Sequence, residues 1–427
     1  MKRVVVTGIG SVGPLGSSFG ESWKALKAGG SGISRITRFD PSALPWKIAG
    51  ELKAFDGTGY LSQKEIARLD PFVHYAVAAA AMAVEDSGLA KKSKSKGQKS
   101  KVKDQLYFAF PIEYLTSSGV IIGSSRGGIT SIENALLRTQ NQILKTRNRR
   151  FSPYLMPSTT VSMASSCVAQ KMGINGHCLG ISNACASGTN AVGEAFRIIK
   201  SGYSSLVLAG GSEAPICRLS VEGYGIAGAL SKKTTGTPSP FDNERDGFVL
   251  SEGACLLLLE EYEQALKRGA GIYGEILGYG NTSDAFHMTQ PDPEGEAEAI
   301  RRALKESGFG PSEVDYVNTH GTGTRIGDFS EAQAIRKVFG KRSSAIPASA
   351  IKSMTGHMLA ASGAFEIAST LMSMKTGIIP PTINLDKKDP ECDINIITKS
   401  KRMDINIAIS NSFGFGGVNA VIALRKV

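Results

Sequence analysis

Short apolar runs and longer amphipathic stretches alternate along the 427-residue chain. The runs from Val4 to Thr7, Val120 to Ile122, Leu206 to Ala209 and Ala254 to Leu259 are rich in valine, isoleucine and leucine and predict buried strands. Between them, apolar positions recur at helical spacing from Ala191 to Lys200 and from Glu296 to Ser307. Strands interleaved with helices predict the α/β class, a mostly parallel sheet covered on both faces. A charged stretch beginning at Glu260, EEYEQALKRG, predicts a helix between two segments that each open with a strand and a glycine turn, RVVVTGIG and IYGEILGYG. That similarity hints at internal duplication.

Length and composition narrow the class. A chain of this size builds a hydrophobic core easily and is expected to hold two or three domain-sized units. With 41% hydrophobic and 20% charged residues it is globular, not disordered. Its 49 glycines predict tight turns and close backbone approaches. The formal charge of +11 raises the question of nucleic acid, but seven lysines fall in the single stretch Lys91 to Lys103, which reads as a solvated surface loop. The remainder, at +4, has no basic stripe interleaved with aromatics, which argues against a nucleic-acid reader and suits an acidic protein partner. Cys167, Cys178, Cys185, Cys217, Cys255 and Cys392 are too scattered for a disulfide framework, so a reducing, cytoplasmic setting is expected. The N-terminal MKRVVVTGIG reads as a first strand and not as a signal peptide. No apolar run approaches the roughly 20 residues needed to cross a bilayer, the alanine-rich run Ala76 to Val84 included, so no membrane insertion is expected.

Three motifs compete for the chemistry. Gly8, Gly10 and Gly13 spell a dinucleotide-binding pattern after a strand, but the following stretch has no clear second strand before Asp40. Gly123-Ser124-Ser125-Arg126-Gly127 matches the nucleophile elbow of a serine hydrolase or thioesterase, with Ser125 as nucleophile and His287, His320 and His357 all downstream. Cys185, in NACASGTNAVGEAF, follows a strand-like run and stands where a helical pattern begins. A helix N-terminus there predicts a stabilised thiolate and a lowered thiol pKa. Among five histidines, His320 and His357 lie in glycine-flanked turns, and neither has a carboxylate or cysteine at metal-ligand spacing, which speaks against zinc.

The segments NACASGT, NTHGTGT, KSMTGH and NSFGFGG stand in the order and spacing of the β-ketoacyl-[acyl carrier protein] synthases, and the chain resembles the elongating type II members of that family. PFDNERDGFVLSEGA, SDAFHMTQPDPEG and IIPPTINLD extend the resemblance nearly end to end. It places the two glycine motifs as ordinary strand-to-turn elements. It implies a thiolase-like duplicated fold, layered α-β-α-β-α with two mixed, mostly parallel sheets. Residues 1–262 would form the half carrying the nucleophilic cysteine and residues 263–427 the half carrying the two histidines. The implied reaction is the decarboxylative Claisen condensation of malonyl-carrier with an acyl group held on Cys185, giving a 3-oxoacyl-carrier and carbon dioxide. The resemblance leaves fatty-acid elongation and a polyketide role both open, and a non-catalytic partner subunit is disfavoured by the presence of Cys185.

By the same resemblance, His320 and His357 join Cys185 in the catalytic set, with Lys352 supporting them. The amides of Cys185 and Phe415 would form an oxyanion hole. Thr322 and Thr324 would hold the pantetheine arm, and Phe413 and Phe415 would border the acyl pocket. Lys64, Arg68, Arg149 and Arg150 match carrier-protein contacts, and Asn318, Glu366, Ser410 and Asn411 match a monovalent-cation site seen in some relatives. No cofactor is implied, and a homodimer is. The chain departs from the pattern at Gly228, where a basic residue is common and only Lys232 and Lys233 lie near, at Asn190, and in the length of the region Lys91 to Ser118.

Overall fold

A computed structural model describes residues 1–53, 55–89, 118–143 and 151–427. The lysine-rich stretch, Arg149 and Arg150 lie outside the described residues.

Among the described residues, eleven strands form the principal sheet. They are β1 (Val4–Val12), β2 (Ser118–Gly123), β3 (Cys178–Ile181), β4 (Leu206–Glu213), β5 (Gly253–Glu261), β6 (Gly274–Ser283), β7 (Tyr316–Asn318), β8 (Pro347–Ser349), β9 (Asn395–Ile396), β10 (Ile407–Gly414) and β11 (Val418–Arg425). Their order is β9-β8-β7-β10-β11-β6-β1-β5-β4-β2-β3. From the centre outward the two halves repeat one another. β1 runs antiparallel to β5 and β5 to β4, after which β4, β2 and β3 are parallel. Likewise β6 runs antiparallel to β11 and β11 to β10, after which β10, β7, β8 and β9 are parallel. All strands but β5 and β11 therefore point one way within their half, which is the mixed, mostly parallel arrangement expected. The two sheets meet through only three residue pairs between β1 and β6, from Val4↔Ile276 to Val6↔Gly274, so they are continuous at the centre.

Of the helices among the described residues, six make up the layers: α1 (Pro71–Asp86), α2 (Met163–Met172), α3 (Ser187–Lys200), α4 (Pro293–Ser307), α5 (Arg325–Phe339) and α6 (Ala360–Thr376). α3 and α6 lie between the halves, where Val192, Phe196 and Ile199 share one core with Ile367 and Leu371. α1 and α2 cover the outer face of the first half, and α4 and α5 that of the second. Because α6 is enclosed on all sides, it is buried from Ala360 to Leu371, and apart from Glu366 that stretch is apolar or small-residued around its whole circumference.

The glycines explain the outer packing and dispose of the dinucleotide motif. Gly8 and Gly10 face α1, where a Cβ on each would lie 2.1 and 2.0 Å from the carbonyl oxygens of Ala83 and Ala79. Gly278 and Gly280 of β6 meet Ala303 and Ala299 of α4 in the same manner, at 2.2 and 1.9 Å. Each pair is spaced by two along the strand and its partners by four along the helix, so both glycines share a face and both carbonyls share a ridge. The motif thus serves close helix-on-strand contact in both halves. It also explains why β1 extends to Val12 and β4 to Glu213, past the apolar runs: glycines and serines continue the strands where helices press closest. The charged stretch at Glu260 proves to be the end of β5 and a short helix, Tyr262–Lys267.

Among the described residues no helix is long and apolar enough to cross a membrane, and all six cysteines are free.

Gly10→Ala and Gly280→Ala should each destabilise the fold by about 2 kcal/mol or more, since backbone must move to admit the methyl group. Gly20→Ala, in the helix Phe19–Lys27 with nothing within 4 Å, should instead stabilise it by up to about 1 kcal/mol. Urea unfolding midpoints measure all three.

Candidate active site

The two central helices begin with matching sequences, Ala184-Cys185-Ala186-Ser187-Gly188 and Leu359-Ala360-Ala361-Ser362-Gly363. The match is structural as well. Ala184 and Leu359 both have positive φ, 45° and 47°, a conformation costing about 1–3 kcal/mol in a non-glycine residue. Three residues on, the hydroxyls of Ser187 and Ser362 accept from the amides of Asn183 and Met358 at 2.8 and 2.9 Å. Cys185 thus takes, in the first half, the place that Ala360 takes in the second. This internal repeat is visible in the sequence, and it is a sharper sign of duplication than the glycine turns. Asn190 ties the cysteine loop to the other half, accepting from Asn183 Nδ2 at 3.1 Å and donating to the Tyr279 hydroxyl at 2.6 Å.

Cys185, His320 and His357 line one cavity of about 450 Å³, together with Thr322, Thr324, Phe413, Phe415, Tyr224 and Phe248. His320 follows β7 by two residues, and His357 precedes α6 by three. Their rings stand edge to face with centroids 5.3 Å apart. The Phe413 ring lies 6.0 Å from that of His320, and Phe248 lies 5.1 Å from that of His357. Gly414 brings its backbone against Cys185, and the next amide, that of Phe415, donates toward the Cys185 sulfur. Thr322 and Thr324 pair their hydroxyls at 3.0 Å on the cavity wall, Thr324 also capping α5.

Lys352 is buried, although on sequence alone it reads as a surface residue. Its ammonium donates to His320 Nδ1 at 3.1 Å, to the His320 carbonyl at 2.6 Å and to Glu366 Oε1 at 2.5 Å. An ammonium has no lone pair, so His320 Nδ1 must accept and its proton sits on Nε2. For His357, Ser362 Oγ already accepts from the Met358 amide, so its proton is free for His357 Nδ1 at 3.2 Å. In the tautomer whose Nδ1 accepts from that hydroxyl, the imidazole proton sits on Nε2, an atom with no partner among the described residues. Burial, reinforced by the Lys352 charge, holds both imidazoles well below the ordinary histidine range, so both are neutral donors at pH 7.

The thiol departs from expectation. Burial pushes Cys185 up to about 11, against the pull of Lys352, the Phe415 amide and Arg126. Position near a helix start predicts a lowered value, but here the loss of water around the sulfur outweighs it.

Two buried carboxylates missed in the sequence hold the loops. Glu331 accepts from the amides of His320 and Gly321, both at 2.8 Å, and from Asn411 Nδ2 at 3.0 Å. Glu213 accepts from the amides of Ser125 and Arg126 at 2.7 and 3.0 Å, from Ser124 Oγ at 2.8 Å and from the Ala360 amide at 3.3 Å. Glu213 also disposes of the serine-hydrolase reading. The amides a nucleophile elbow would keep ready are bound to a carboxylate, and Ser125 does not line the cavity that holds His320 and His357. Nothing within Glu213 or Glu331 marked them as different from surface acids, since only the fold buries them.

Asn318 and Ser410 are paired across β7 and β10, with Asn411 beside them and Glu366 on α6. Each of the four is buried and carries an oxygen without a partner: Asn318 Oδ1, Ser410 Oγ, Asn411 Oδ1 and Glu366 Oε2. Such a set of orphan oxygens suits a hard monovalent cation. Among the described residues no group of three or more His, Cys, Asp or Glu side chains is arranged to hold a metal.

Of the carrier positions, Lys64 is exposed, and Arg68 stacks its guanidinium over the Tyr154 ring at 4.2 Å. Gly228 has φ of 74°, which accounts for glycine where a basic side chain is common, and it lines the cavity mouth. Lys233 donates to the Glu244 carbonyl, whereas Lys232 is exposed.

A half-buried thiol, two neutral imidazoles and a backbone amide around one cavity, on a duplicated five-layer fold, define a thiolase-like condensing acyltransferase. Residues 1–265 match the β-ketoacyl synthase N-terminal domain and residues 273–386 its C-terminal domain. The chain is 41% identical over 433 residues to 3-oxoacyl-[acyl-carrier-protein] synthase 2 of Synechocystis sp., covering all of this chain and 98% of that one. Its structure is similar to a β-ketoacyl synthase from Burkholderia phymatum, with TM-score 0.87, 34% identity and complete coverage of both chains. It is also similar to AntDE:AntF, a type II PKS acyl-carrier protein in complex with its ketosynthase bound to the hexaketide, with TM-score 0.86, 33% identity and complete coverage. The chain belongs to the β-ketoacyl synthase family.

In 13C-histidine-labelled protein, the His320 and His357 imidazole signals should stay at their neutral positions from pH 6 to pH 8. Lys352→Met removes a cation that disfavours protonation, so both midpoints should move upward, which an NMR titration reads directly.

Proposed function

We propose that the chain is the condensing enzyme of fatty-acid chain elongation, joining malonyl-carrier to an acyl group held on Cys185. The observation that carries this reading is the convergence of the Cys185 sulfur, the Phe415 amide and two imidazoles with Nε2 protons on one cavity.

In the first step the Cys185 sulfur attacks the thioester carbon of the acyl-carrier, the carrier thiol leaves, and the thiol proton passes to it. The charge that forms on the acyl oxygen is met by the amides of Cys185 and Phe415. A thioester keeps the acyl group activated, which divides one difficult displacement into two easier ones. In the second step malonyl-carrier loses carbon dioxide, and the electrons of the broken bond form an enolate. Donors aimed at the enolate oxygen are the main catalytic requirement, and in this reading the Nε2–H groups of His320 and His357 supply them. The enolate carbon then attacks the acyl carbon, the bond to Cys185 breaks, and 3-oxoacyl-carrier departs. Lys352 fixes the His320 tautomer, Thr322 and Thr324 hold the carrier's pantetheine, and Phe413 and Phe415 border the acyl pocket.

Asn318, Glu366, Ser410 and Asn411 would hold a monovalent cation through their unpartnered oxygens. Its charge would balance the Glu366 carboxyl, which burial raises to about 7. No step needs a further cofactor.

The partner is an acidic acyl carrier protein, steered by Lys64, Arg68, Arg149 and Arg150. We take residues 1–262 and 263–427 as the two ketosynthase halves of a cytoplasmic enzyme that forms a homodimer. The edge strand β3 supports the dimer, because it is exposed from Cys178 to Gly180 and carries the solvent-facing Leu179.

Cys185→Ala should abolish the mass adduct formed with acyl-carrier, while Ser125→Ala should retain it. His320→Ala and His357→Ala should still load acyl groups but lose condensation by about a hundredfold or more each, the usual effect of removing one oxyanion donor. Intact-protein mass spectrometry and product formation separate the two steps. Acylation of the Cys185→Ala protein would sink the assignment. Arg68→Glu should raise the KM for carrier substrates severalfold at low salt, with little change in kcat.

A further inference from the structure

Among the described residues that line the cavity, two carry a buried polar atom without a hydrogen-bond partner: His357 at Nε2 and Glu296 at Oε2. The imidazole serves the condensation. Glu296 takes no part in it, yet an unpartnered carboxyl oxygen inside a protein costs the folded state what a surface acid does not.

Glu296 stands in the first turns of α4, and the start of that helix is pinned. The Asp292 side chain caps it by accepting from the Glu294 amide at 3.0 Å. Asp284 in turn accepts from the Asp292 amide at 2.9 Å and from Asn419 Nδ2 at 2.6 Å. Gly295 packs so closely on Asp284 that a Cβ there would lie 2.0 Å from its Oδ1. The neighbouring helix α5, which shares a core with α4, starts on the same cavity, where Thr324 Oγ1 accepts from the Gly327 amide at 3.2 Å. Gln290, Pro291 and Glu296 from one helix start therefore line a common cavity with Thr322, Thr324 and Ile326 from the other.

Burial, reinforced by the charge of Glu331 on α5, raises the Glu296 carboxyl well above the ordinary range. At pH 7 it is protonated and offers an O–H donor together with an acceptor oxygen. Asp284 and Asp292 push in the same direction as Glu331, so an anion would be repelled from this wall. A neutral amide would not be, and it carries both a donor and an acceptor of its own.

Resting on the reading that Thr322 and Thr324 hold the pantetheine arm, we propose that Glu296 is a further binding residue for that arm, its carboxyl hydrogen-bonding one of the arm's amides. The oxygen that lacks a partner in the folded chain then finds one in the substrate, and the acid is a binding group and not a structural one.

The test loads Cys185 of the full chain from two octanoyl donors, a pantetheine thioester and the thioester of an alkyl thiol without amides. Adduct formation is followed by intact-protein mass spectrometry over a range of donor concentrations. The wild-type chain should favour the pantetheine donor. Glu296→Leu and Glu296→Met should each reduce that preference about fivefold to tenfold, the size expected for one lost hydrogen bond, through KM and not through kcat. Glu296→Gln, which keeps a donor and an acceptor, should stay within about twofold of wild type. Urea midpoints of the two apolar variants should match or exceed that of wild type, because they remove a buried carboxyl oxygen without a partner. An unchanged preference in both apolar variants, an equal loss in Glu296→Gln, or midpoints well below wild type in both apolar variants overturns the role of Glu296 and leaves the arm and the nucleophile as assigned. Equal loading of the wild-type chain from the two donors overturns the reading of the arm, and no Cys185 adduct from either donor overturns the nucleophile.

Discussion

The site depends on the backbone approach of α3 and α6. A Cβ on Gly188 or Gly211 would fall 2.1 or 2.2 Å from the Ala360 carbonyl oxygen, and one on Gly363 would fall 2.0 Å from Thr189 Oγ1. Only glycine lets the two helix starts, and the strand between them, come this near. Cys185 and His357 are carried on the loops that lead into those helices, so the distance between thiol and imidazole is set by main-chain contact. Side-chain repacking elsewhere can alter the pocket wall, but it cannot readily change that distance.

The second constraint is electrostatic. Lys352 is a buried cation that serves His320 and Glu366 at once, and its cost is met by three hydrogen bonds, one of them to a carboxylate. Around it, Glu213, Glu331 and Glu366 are all raised to about 7 by burial, yet each is held in place by its donors. Glu213 and Glu331 accept loop amides and so fix the turns that carry His320, Arg126 and Ala360. Charge is used here mainly to hold loops in shape and to choose a tautomer.

Much of this was legible in the sequence, for identifiable reasons. The strand runs around Val4, Val120, Leu206 and Ala254 are buried on both faces, so hydrophobicity alone marked them. Their ends were not marked, because Gly8, Gly10 and Ser212 continue strands against helices that leave no room for larger side chains. Spaced motifs located Cys185, His320 and His357, since the turns that carry them demand glycines at fixed offsets. The direction of the Cys185 titration was misjudged because a helix start is a local feature, whereas burial depends on everything packed around the sulfur. Glu213, Glu331 and Ser362 escaped notice for the same reason: one acid or serine looks like another until the fold encloses it.

The ACASG and LAASG loops carry one further implication. Two copies of the same turn, with the same strained residue and the same serine lock, face each other across the molecular centre. Only one of them bears sulfur. A reaction that joins an electrophile to a carbanion needs unlike groups on opposite walls, so the near-twofold scaffold can work only where its likeness has been broken. The two cradles share one design, but only the first sets a sulfur in the cavity beside the two imidazoles, and the second offers the methyl group of Ala360 in its place.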